Sequence, residues 1–395
     1  MLIVEIVIGV VFIYFLINTF YILFFSFAGF FAKKKFEETP LDQKKSFVIF
    51  MPCYKGDEVI KSTAREALKV NYPKDKFRVV VIADTLQPDT VQDLHTLPLD
   101  VAEVSFENST KAKSLKAALK QVKGSFDYAV ILDIDNIMEP DFLEKINIHL
   151  QDNKKILQAH RVALNTDTSF AVLDAISEEV NNQIFRRGHR ALGLSAAFIG
   201  SGKAIAYDFY KDFIQEIDAI GGFDKEMELK LLSRGETIHY AHNALVYDEK
   251  VQEASRFQNQ RKRWLSAQFH YFQQHFLPAT SALLSKGNID YFDKMLQMIL
   301  FPRLLLLGSL AIITFISYFF PESLFPGFKS WALLLVACSS AIVIAIPRVF
   351  LNKKTLVAVA SIPKAFFLMF ATLFKLKGAN KKFIHTEHSH GKKKD

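Results

Sequence analysis

The sequence predicts an α/β domain built on a parallel, doubly wound sheet and joined to membrane helices at both ends. Three observations predict it. Unbroken apolar runs of strand length at 47–51, 77–83 and 128–132 alternate with helical stretches at 59–70, 91–97 and 111–122, which is the rhythm of βαβ units. Each run closes on polar residues: Pro52-Cys53-Tyr54-Lys55, then Asp84, then Asp133-Ile134-Asp135. In such sheets ligands bind beyond the carboxyl ends of the strands. Long uncharged segments flank this region in a chain of 395 residues, half of them apolar and 38 of them Phe, a composition heavy for a soluble enzyme.

The first element is a membrane anchor. Residues 6–32 carry no charge, and at about 1.5 Å per residue they cross a ~30 Å hydrocarbon core with room for tilt. A signal peptide is excluded, because the segment is too long and lacks a basic start and a small-residue cleavage site. Lys33-Lys34-Lys35 follows directly; the positive-inside rule then puts the N-terminus outside and the next domain in the cytoplasm, at the inner membrane face.

Within the α/β region, 101–106 alternates as a further strand, and Asn136 with Glu139-Pro140-Asp141 reads as a turn and helix start. Beyond it, 156–163 is strand-like and 170–185 helical. Gly200-Ser201-Gly202 is a turn where backbone approaches a ligand closely. Gly221-Gly222-Phe223-Asp224 precedes a helix over 225–233, and short strands are expected at 238–241 and 245–247. From Glu253 a long amphipathic stretch leads to two more uncharged runs, 304–321 and 330–347. The loop between them holds one Lys, whereas Arg348, Lys353 and Lys354 flank the far side, which again places the middle of the chain inside. Residues 355–374 are apolar but broken by Pro363 and Lys364, which predicts an interfacial or re-entrant helix and three spans in all.

The net charge of +8 sits largely at Lys33–35, 261–263 and the tail. Charge beside spans reads as contact with anionic membrane lipids, not with nucleic acid. Little polarity within the spans speaks against a transporter. Cys53 and Cys338 suggest no disulfide framework, and His385, His388 and His390 fall in a solvated tail. Arg186, Arg187, His189, Gln158 and His160 are further polar residues whose roles stay open.

Asp133 and Asp135, one residue apart at a strand end, point to one face and suit a hard divalent cation that also holds phosphate oxygens. Gln260, Arg263 and Trp264 fall at i, i+3 and i+4, on one helix face, with Arg261 and Lys262 turned away. An Arg fork suits phosphate and an indole suits stacking on a sugar ring; a basic juxtamembrane helix with a Trp anchor has the same pattern. Asp224 at a helix start is equally a preferred N-cap.

In order and spacing, Tyr54, Asp84, Asp133/Asp135, Asp224 and Gln260-Arg261-Lys262-Arg263-Trp264 resemble the membrane-bound family 2 glycosyltransferases, the group of cellulose, chitin and hyaluronan synthases and ceramide glucosyltransferases. The resemblance covers roughly residues 45–270. It implies a GT-A domain, which is Rossmann-like, a Mg²⁺ or Mn²⁺ ion, and inverting transfer from a nucleotide-sugar, with UDP the carrier. On this resemblance Pro52 and Tyr54 lie near the base, Asp84 and Lys111 bind the nucleotide, and Asp133 and Asp135 hold ribose, diphosphate and metal. Asp224 is the general base, with Glu226 in reserve. Gln260, Arg263, Trp264 and the Gly200-Ser201-Gly202 turn face diphosphate and acceptor. Two departures stand out: Phe223 replaces the usual Glu before the base, and Gly56 an acidic residue.

The organisation expected is an anchor over 1–32, a catalytic domain over 45–250, amphipathic helices over 251–300, two membrane helices over 301–350, an interfacial helix over 351–376 and a basic tail over 377–395. The leading reading is a transferase acting on a polysaccharide or lipid-linked acceptor, with a homo-oligomer or export partner needed if it makes polymer. The alternative is a non-catalytic nucleotide-binding module of an assembly complex.

Overall fold

The computed structural model describes residues 2–32, 41–151, 153–219, 221–321 and 326–374. The lysine run at 33–35, part of the loop between the last two expected spans, and the tail with its histidines lie outside the described residues.

Helix α1 (Leu2–Ala28) leads into the sheet. In chain order come β1 (Phe47–Tyr54), α2 (Asp57–Leu68), β2 (Phe77–Asp84), α3 (Pro88–His95), β3 (Asp100–Val104), α4 (Lys111–Gln121), β4 (Tyr128–Ile131), β5 (Asn136–Met138), α5 (Phe142–His149) and β6 (Ile156–Ala163). There follow α6 (Ser169–Asn181), a π-helical turn (Asn182–Gly188), α7 (His189–Ala191), β7 (Lys203–Ala206), α8 (Tyr207–Gln215), α9 (Phe223–Ser233) and β8 (His239–Asp248). The chain ends with α10 (Ala254–Lys286), α11 (Ile289–Ile299), α12 (Arg303–Ser317), α13 (Phe328–Ala345), α14 (Lys353–Val359) and α15 (Ile362–Leu373).

The eight strands form one sheet in the order β3-β2-β1-β4-β7-β6-β8-β5. The expected parallel arrangement holds for β3, β2, β1 and β4. Beyond them it is mixed: β7 runs antiparallel to both β4 and β6, β6 and β8 pair in parallel, and β5 runs antiparallel to β8. Alternate residues of the central strands feed two cores, because side chains leave a strand on alternate faces. Val48, Phe50 and Ile131 pack under α4, α8 and α9, whereas Phe47, Ile49 and Met51 pack under α2, α3 and α5.

Several local expectations are corrected. β4 stops at Ile131, and Ile134-Asp135 is a turn, so strand alternation does not orient the two carboxylates. Asn136, expected in a turn, begins β5, which pairs with β8, and its Nδ2 also donates to Asp248 (2.8 Å). The two short strands expected after residue 238 are a single β8 with an irregularity opposite Ala159/His160. α6 continues through the π-helical turn to Ala191, and β7 and α8 had no counterpart in the expected elements.

Helices α1 (as Ile3–Phe31) and α13 are long and apolar enough to cross a membrane. The span expected at 304–321 is only the 15-residue α12, which at about 1.5 Å per residue falls short of a ~30 Å core. It forms a pair with α11, bent by 51°, and α14 with α15 form another, bent by 47°. Counting each bent pair as one span gives up to four. A third core joins these helices to the sheet domain: Phe15, Ile22 and Phe25 of α1 meet Val172, Ile176 and Val180 of α6, Leu306 and Leu310 of α12, and Trp331 and Cys338 of α13. Cys53 and Cys338 are both free and buried.

Gln158, fully buried on β6, holds the loop that precedes β7. Its Oε1 accepts from the Ile199 amide (3.0 Å), and its Nε2 donates to the carbonyls of Ser201 (3.0 Å) and Gly202 (3.2 Å). Gln158→Leu keeps the volume and takes this partner from the Ile199 amide and the Ser201 carbonyl, while the Gly202 carbonyl keeps the Ala159 amide. It is expected to cost about 2–3 kcal/mol, read as a lower denaturation midpoint in detergent with an unchanged denaturant slope.

Candidate active site

The strand ends converge as the sequence suggests. Tyr54 and Asp84 are register partners at the ends of β1 and β2, and Lys55 and Thr85 just beyond them take positive φ (50° and 59°), turning the chain out of the sheet. Pro52 lies two residues back, opposite Ile82. Asp84 is 1% exposed and points inward: its Oδ1 accepts from Thr85 (3.1 Å) and Ser109 (3.0 Å), its Oδ2 from Ser114 (2.9 Å). The carboxylate thereby ties β2 to the start of α4. Gly56 has a steric cause. A Cβ there would lie 2.5 Å from Ile134 Cδ1 and 2.8 Å from Cys53 Sγ, so the turn between Asp133 and Asp135 leaves no room for an acidic side chain. The nearby Asp57 carboxylate accepts from the Gln87 amide (2.8 Å).

At the cleft, α4 presents Lys111, whose ammonium binds the Asp133 carboxylate and the Gly200 carbonyl (2.8 Å). The Asp133 amide donates to Ser201 Oγ (2.9 Å). Asp135 accepts from Asn136 Nδ2 (3.1 Å). Gly202, at φ +67°, links β4 to β6: its amide donates to Ile131 and its carbonyl accepts from Ala159. The most informative position is Gly200. A Cβ there would stand 3.0 Å from Asp224 Oδ2 and 3.1 Å from Asp133 Oδ2, so the glycine is the space through which the two carboxylates approach one another.

Asp224 is not a helix cap. Gly222, at φ +71°, occupies the cap position of α9, and Asp224 lies in the first turn. Its Oδ1 accepts from Lys203 Nζ (2.7 Å), a lysine with no solvent exposure. Burial alone would raise the Asp224 pKa, but the ammonium groups of Lys203 and Lys111 hold it below the usual carboxylate range. Asp133 moves the other way, raised by burial and by Asp135 and Asp224 in spite of Lys111. Burial likewise draws Lys203 downward against the pull of Asp224. The Lys203 ammonium lies over the rings of Phe198 (4.7 Å) and Phe223 (5.0 Å), and these aromatic faces favour its charged form. Glu226 faces elsewhere: it accepts from the Asp218 amide (3.2 Å) and Lys230 (2.7 Å).

α10 carries Gln260, Arg263 and Trp264. Tyr271, two turns further on, donates to the Gly221 carbonyl (3.1 Å), and a Cβ on Gly222 would meet its ring at 2.9 Å, so this helix packs directly on the approach to Asp224. Trp264 is 40% exposed. Arg261, expected to turn away, instead lies over the Trp264 ring (4.6 Å) and pairs with Asp174 of α6 (2.7 Å). The Gln260 Oε1 is buried without a partner. Arg186 and His189 are buried in the protein interior.

The residues fit a divalent ion. Asp133 and Asp135 offer the hard oxygen donors that Mg²⁺ and Mn²⁺ prefer, and Asp133 is raised first by burial and then by the neighbouring Asp135 and Asp224 carboxylates. Among the described residues no group of three or more His, Cys, Asp or Glu is arranged to hold an ion by itself. Sequence reasoning missed Lys203 and left the role of Gln158 open. The signal for Lys203 was present, a lone charge in the strand Lys203-Ala204-Ile205-Ala206.

A sheet of this order with acidic residues at the switch from parallel to antiparallel strands defines a nucleotide-diphosphosugar transferase fold. The family model "Glycosyltransferase like family 2" matches residues 44–267, more than half of the chain. The protein belongs to glycosyltransferase family 2 and is a glycosyltransferase, the enzymatic one of the two readings. Over 100 residues it is 32% identical to the UDP-forming cellulose synthase catalytic subunit of Komagataeibacter sucrofermentans, covering 24% of this chain and 13% of that subunit's length. In structure it is similar to the mannosyltransferase PcManGT of Pyrobaculum calidifontis, solved with GDP-Man and Mn²⁺, at TM-score 0.54 and 14% identity over 94% of this chain and 99% of that one. It also matches S. aureus TarS 1–349 solved with UDP-GlcNAc, at TM-score 0.45 and 15% identity over 88% of this chain and 95% of that one.

Gly200→Ala tests the carboxylate approach. The added methyl would press on Asp133 and Asp224 together, so transferase turnover is expected to fall at least about tenfold, while the melting temperature stays within about 3 °C of wild type.

Proposed function

We propose that the protein transfers a sugar from a nucleoside-diphosphate sugar to a lipid-linked acceptor at the inner membrane face, with inversion at the anomeric carbon. The observation that carries this reading is the meeting of Asp133 and Asp224 at Gly200, with Lys111 and Lys203 behind them. In it, Tyr54 and Pro52 flank the base and Asp84 shapes the nucleoside side through Ser109 and Ser114. Lys111 meets the diphosphate. Asp133 and Asp135 would hold Mg²⁺ or Mn²⁺, which would offset the charge of the leaving diphosphate.

Asp224 takes the proton of the acceptor hydroxyl as its oxygen bonds to the anomeric carbon. The bond from that carbon to the diphosphate oxygen breaks in the same displacement, and the nucleoside diphosphate leaves with the electron pair. One displacement inverts the centre. Glu226, engaged with Lys230 and the Asp218 amide, is the poorer base.

Support for a membrane-borne acceptor comes from Leu265, next to Trp264. It packs with Leu305 of α12 and Phe366 and Met369 of α15 in one cluster, so the acceptor end of α10 adjoins the membrane helices directly. The basic residues at 33–35, Arg348, Lys353 and Lys354 support a cytoplasmic catalytic domain with the N-terminus outside.

The test is release of nucleoside diphosphate by detergent-solubilised protein across UDP- and GDP-sugars with Mn²⁺, Mg²⁺ or EDTA. Membrane lipid extract or oligosaccharides serve as acceptors. One donor is expected to react, with lipid extract, in a metal-dependent manner, and Asp224→Asn to lower kcat about 10²–10⁴-fold. Because the Asp224 pKa is depressed, the base stays ionised to low pH. The acid limb of kcat/KM is therefore expected below the usual carboxylate range near pH 4. Reaction with oligosaccharide alone would replace the lipid acceptor with a polysaccharide one, and with it the need for an oligomer or export partner. Loss of activity in Glu226→Gln but not Asp224→Asn would move the base.

A further inference from the structure

Lys203 has no direct access to a ligand, yet its side chain ends inside the site. β7 lies between β4 and β6, where Lys203 is paired with Ile131 on one side and Gln158 on the other. An ammonium group in the middle of a sheet is strongly unfavourable unless it is paired. The carboxylate it meets is that of Asp224, Oδ1 at 2.7 Å. Around it are the rings of Phe198 and Phe223 and, at 3.8 Å, the sulfur of Met227. Phe223 stands where the family usually has Glu; its ring instead covers this lysine.

One oxygen of Asp224 is therefore held from within the sheet. The other, Oδ2, lies 3.0 Å from the point a Gly200 Cβ would occupy, a point 3.1 Å from Asp133 Oδ2. We propose that Lys203 is a positioning residue for glycosyl transfer: it holds Oδ1 of Asp224 from inside the sheet so that Oδ2 is presented to the acceptor hydroxyl beside Gly200. This rests on the reading of Asp224 as the base. A carboxylate free to rotate about χ2 would offer the hydroxyl either oxygen in any orientation; one fixed through Oδ1 offers a single lone pair in a fixed direction.

The charged groups that face Asp224 are Lys203 of β7, Lys111 at the start of α4, Arg161 of β6 and Asp133 after β4. Lys225 on α9, Tyr210 of α8 and Tyr271 of α10 are the other titratable neighbours. Lys203 is the one hydrogen-bonded to the Asp224 carboxylate. Removing it takes away both the orientation and the nearest positive charge, and leaves Lys111 to hold Asp133 and the donor.

The experiment uses full-length protein in detergent with the reactive donor of the panel, comparing Lys203→Met, Lys203→Gln, Asp224→Asn and the Met/Asn double variant. Affinity for UDP and GDP with Mn²⁺ reports the donor side separately. Lys203→Met is expected to bind nucleotide within about threefold of wild type while kcat falls about 100-fold, within the range of a general base. Its acid limb should move to higher pH, because Asp224 loses its nearest cation. Lys203→Gln, which keeps a hydrogen-bond donor, should recover about tenfold of the lost kcat. In the Asp224→Asn background Lys203→Met should cost nothing further, as for residues acting as one unit.

The proposal is overturned if Lys203→Met keeps kcat within about threefold of wild type, or lowers the residual turnover of Asp224→Asn as much as that of wild type. It is also overturned if nucleotide affinity and kcat fall together, or if neither Lys203 variant folds, since the lysine would then serve the core alone. Wild-type turnover in Asp224→Asn would overturn the base reading itself. The two failures differ: in the first Asp224→Asn is inactive and Lys203→Met active, and in the second Asp224→Asn is active.

Discussion

Like charges must be held together at the mouth of this sheet, and most of the architecture around it answers that constraint. Asp133 and Asp224 approach one another at Gly200, with Asp135 beside Asp133, and mutual repulsion would drive them apart or protonate them. Gly200 lets two of them approach without a side chain between. Lys111 and Lys203 supply positive charge from opposite sides, one at the edge of the cleft and one from the interior of the sheet. Gln158 then fixes the loop that carries Gly200, pairing three backbone groups with one amide. Each device is needed because the others exist. A glycine loop with no clamp would be loose, and a clamp without the lysines would hold repelling carboxylates.

The same loop is gripped by α11. Asp290 of α11 accepts from the amide (2.7 Å) and hydroxyl (2.8 Å) of Ser195, and Lys294 binds Glu228 (2.7 Å), which accepts from the Phe198 amide (2.9 Å). α11 is tied in turn to the N-terminal helix. Asp293 accepts from Tyr21 (2.7 Å) and Gln297 (2.8 Å) and lies 3.1 Å from His189 Nε2, while the Phe25 ring stacks on His189 at 3.8 Å. These bonds are buried or half-buried, so losing one leaves a polar group without water. α1 is thus part of the scaffold that shapes the site, and α1, α12 and α13 share one packed interior with α6.

Much of the site was legible in order along the chain. Buried parallel strands are apolar on both faces, so β1, β2 and β4 announced themselves as uninterrupted runs, and their polar ends announced the cleft. The Gly200-Ser201-Gly202 turn and the Asp224 helix were legible for the same local reason, since turn and helix-start chemistry lies in a few neighbouring residues. Gly56 was visible as a departure but not its cause, which is the Ile134 side chain approaching from 78 residues away.

The sequence by itself determined the elements whose signal is local: apolar strand cores, helix starts, glycine turns, the long uncharged N-terminal helix, and the spacing of the acidic residues. Tertiary structure alone decided whatever depends on which segment lies beside which. It reversed β7 between β4 and β6, turned Asp84 inward onto three hydroxyl groups, and made Gly222 rather than Asp224 the cap of α9. It also bent the apolar segment at α12 into a pair with α11. Above all it buried Lys203, because a charge in a strand is tolerated only where a partner waits, and that partner, Asp224, is 21 residues further along the chain.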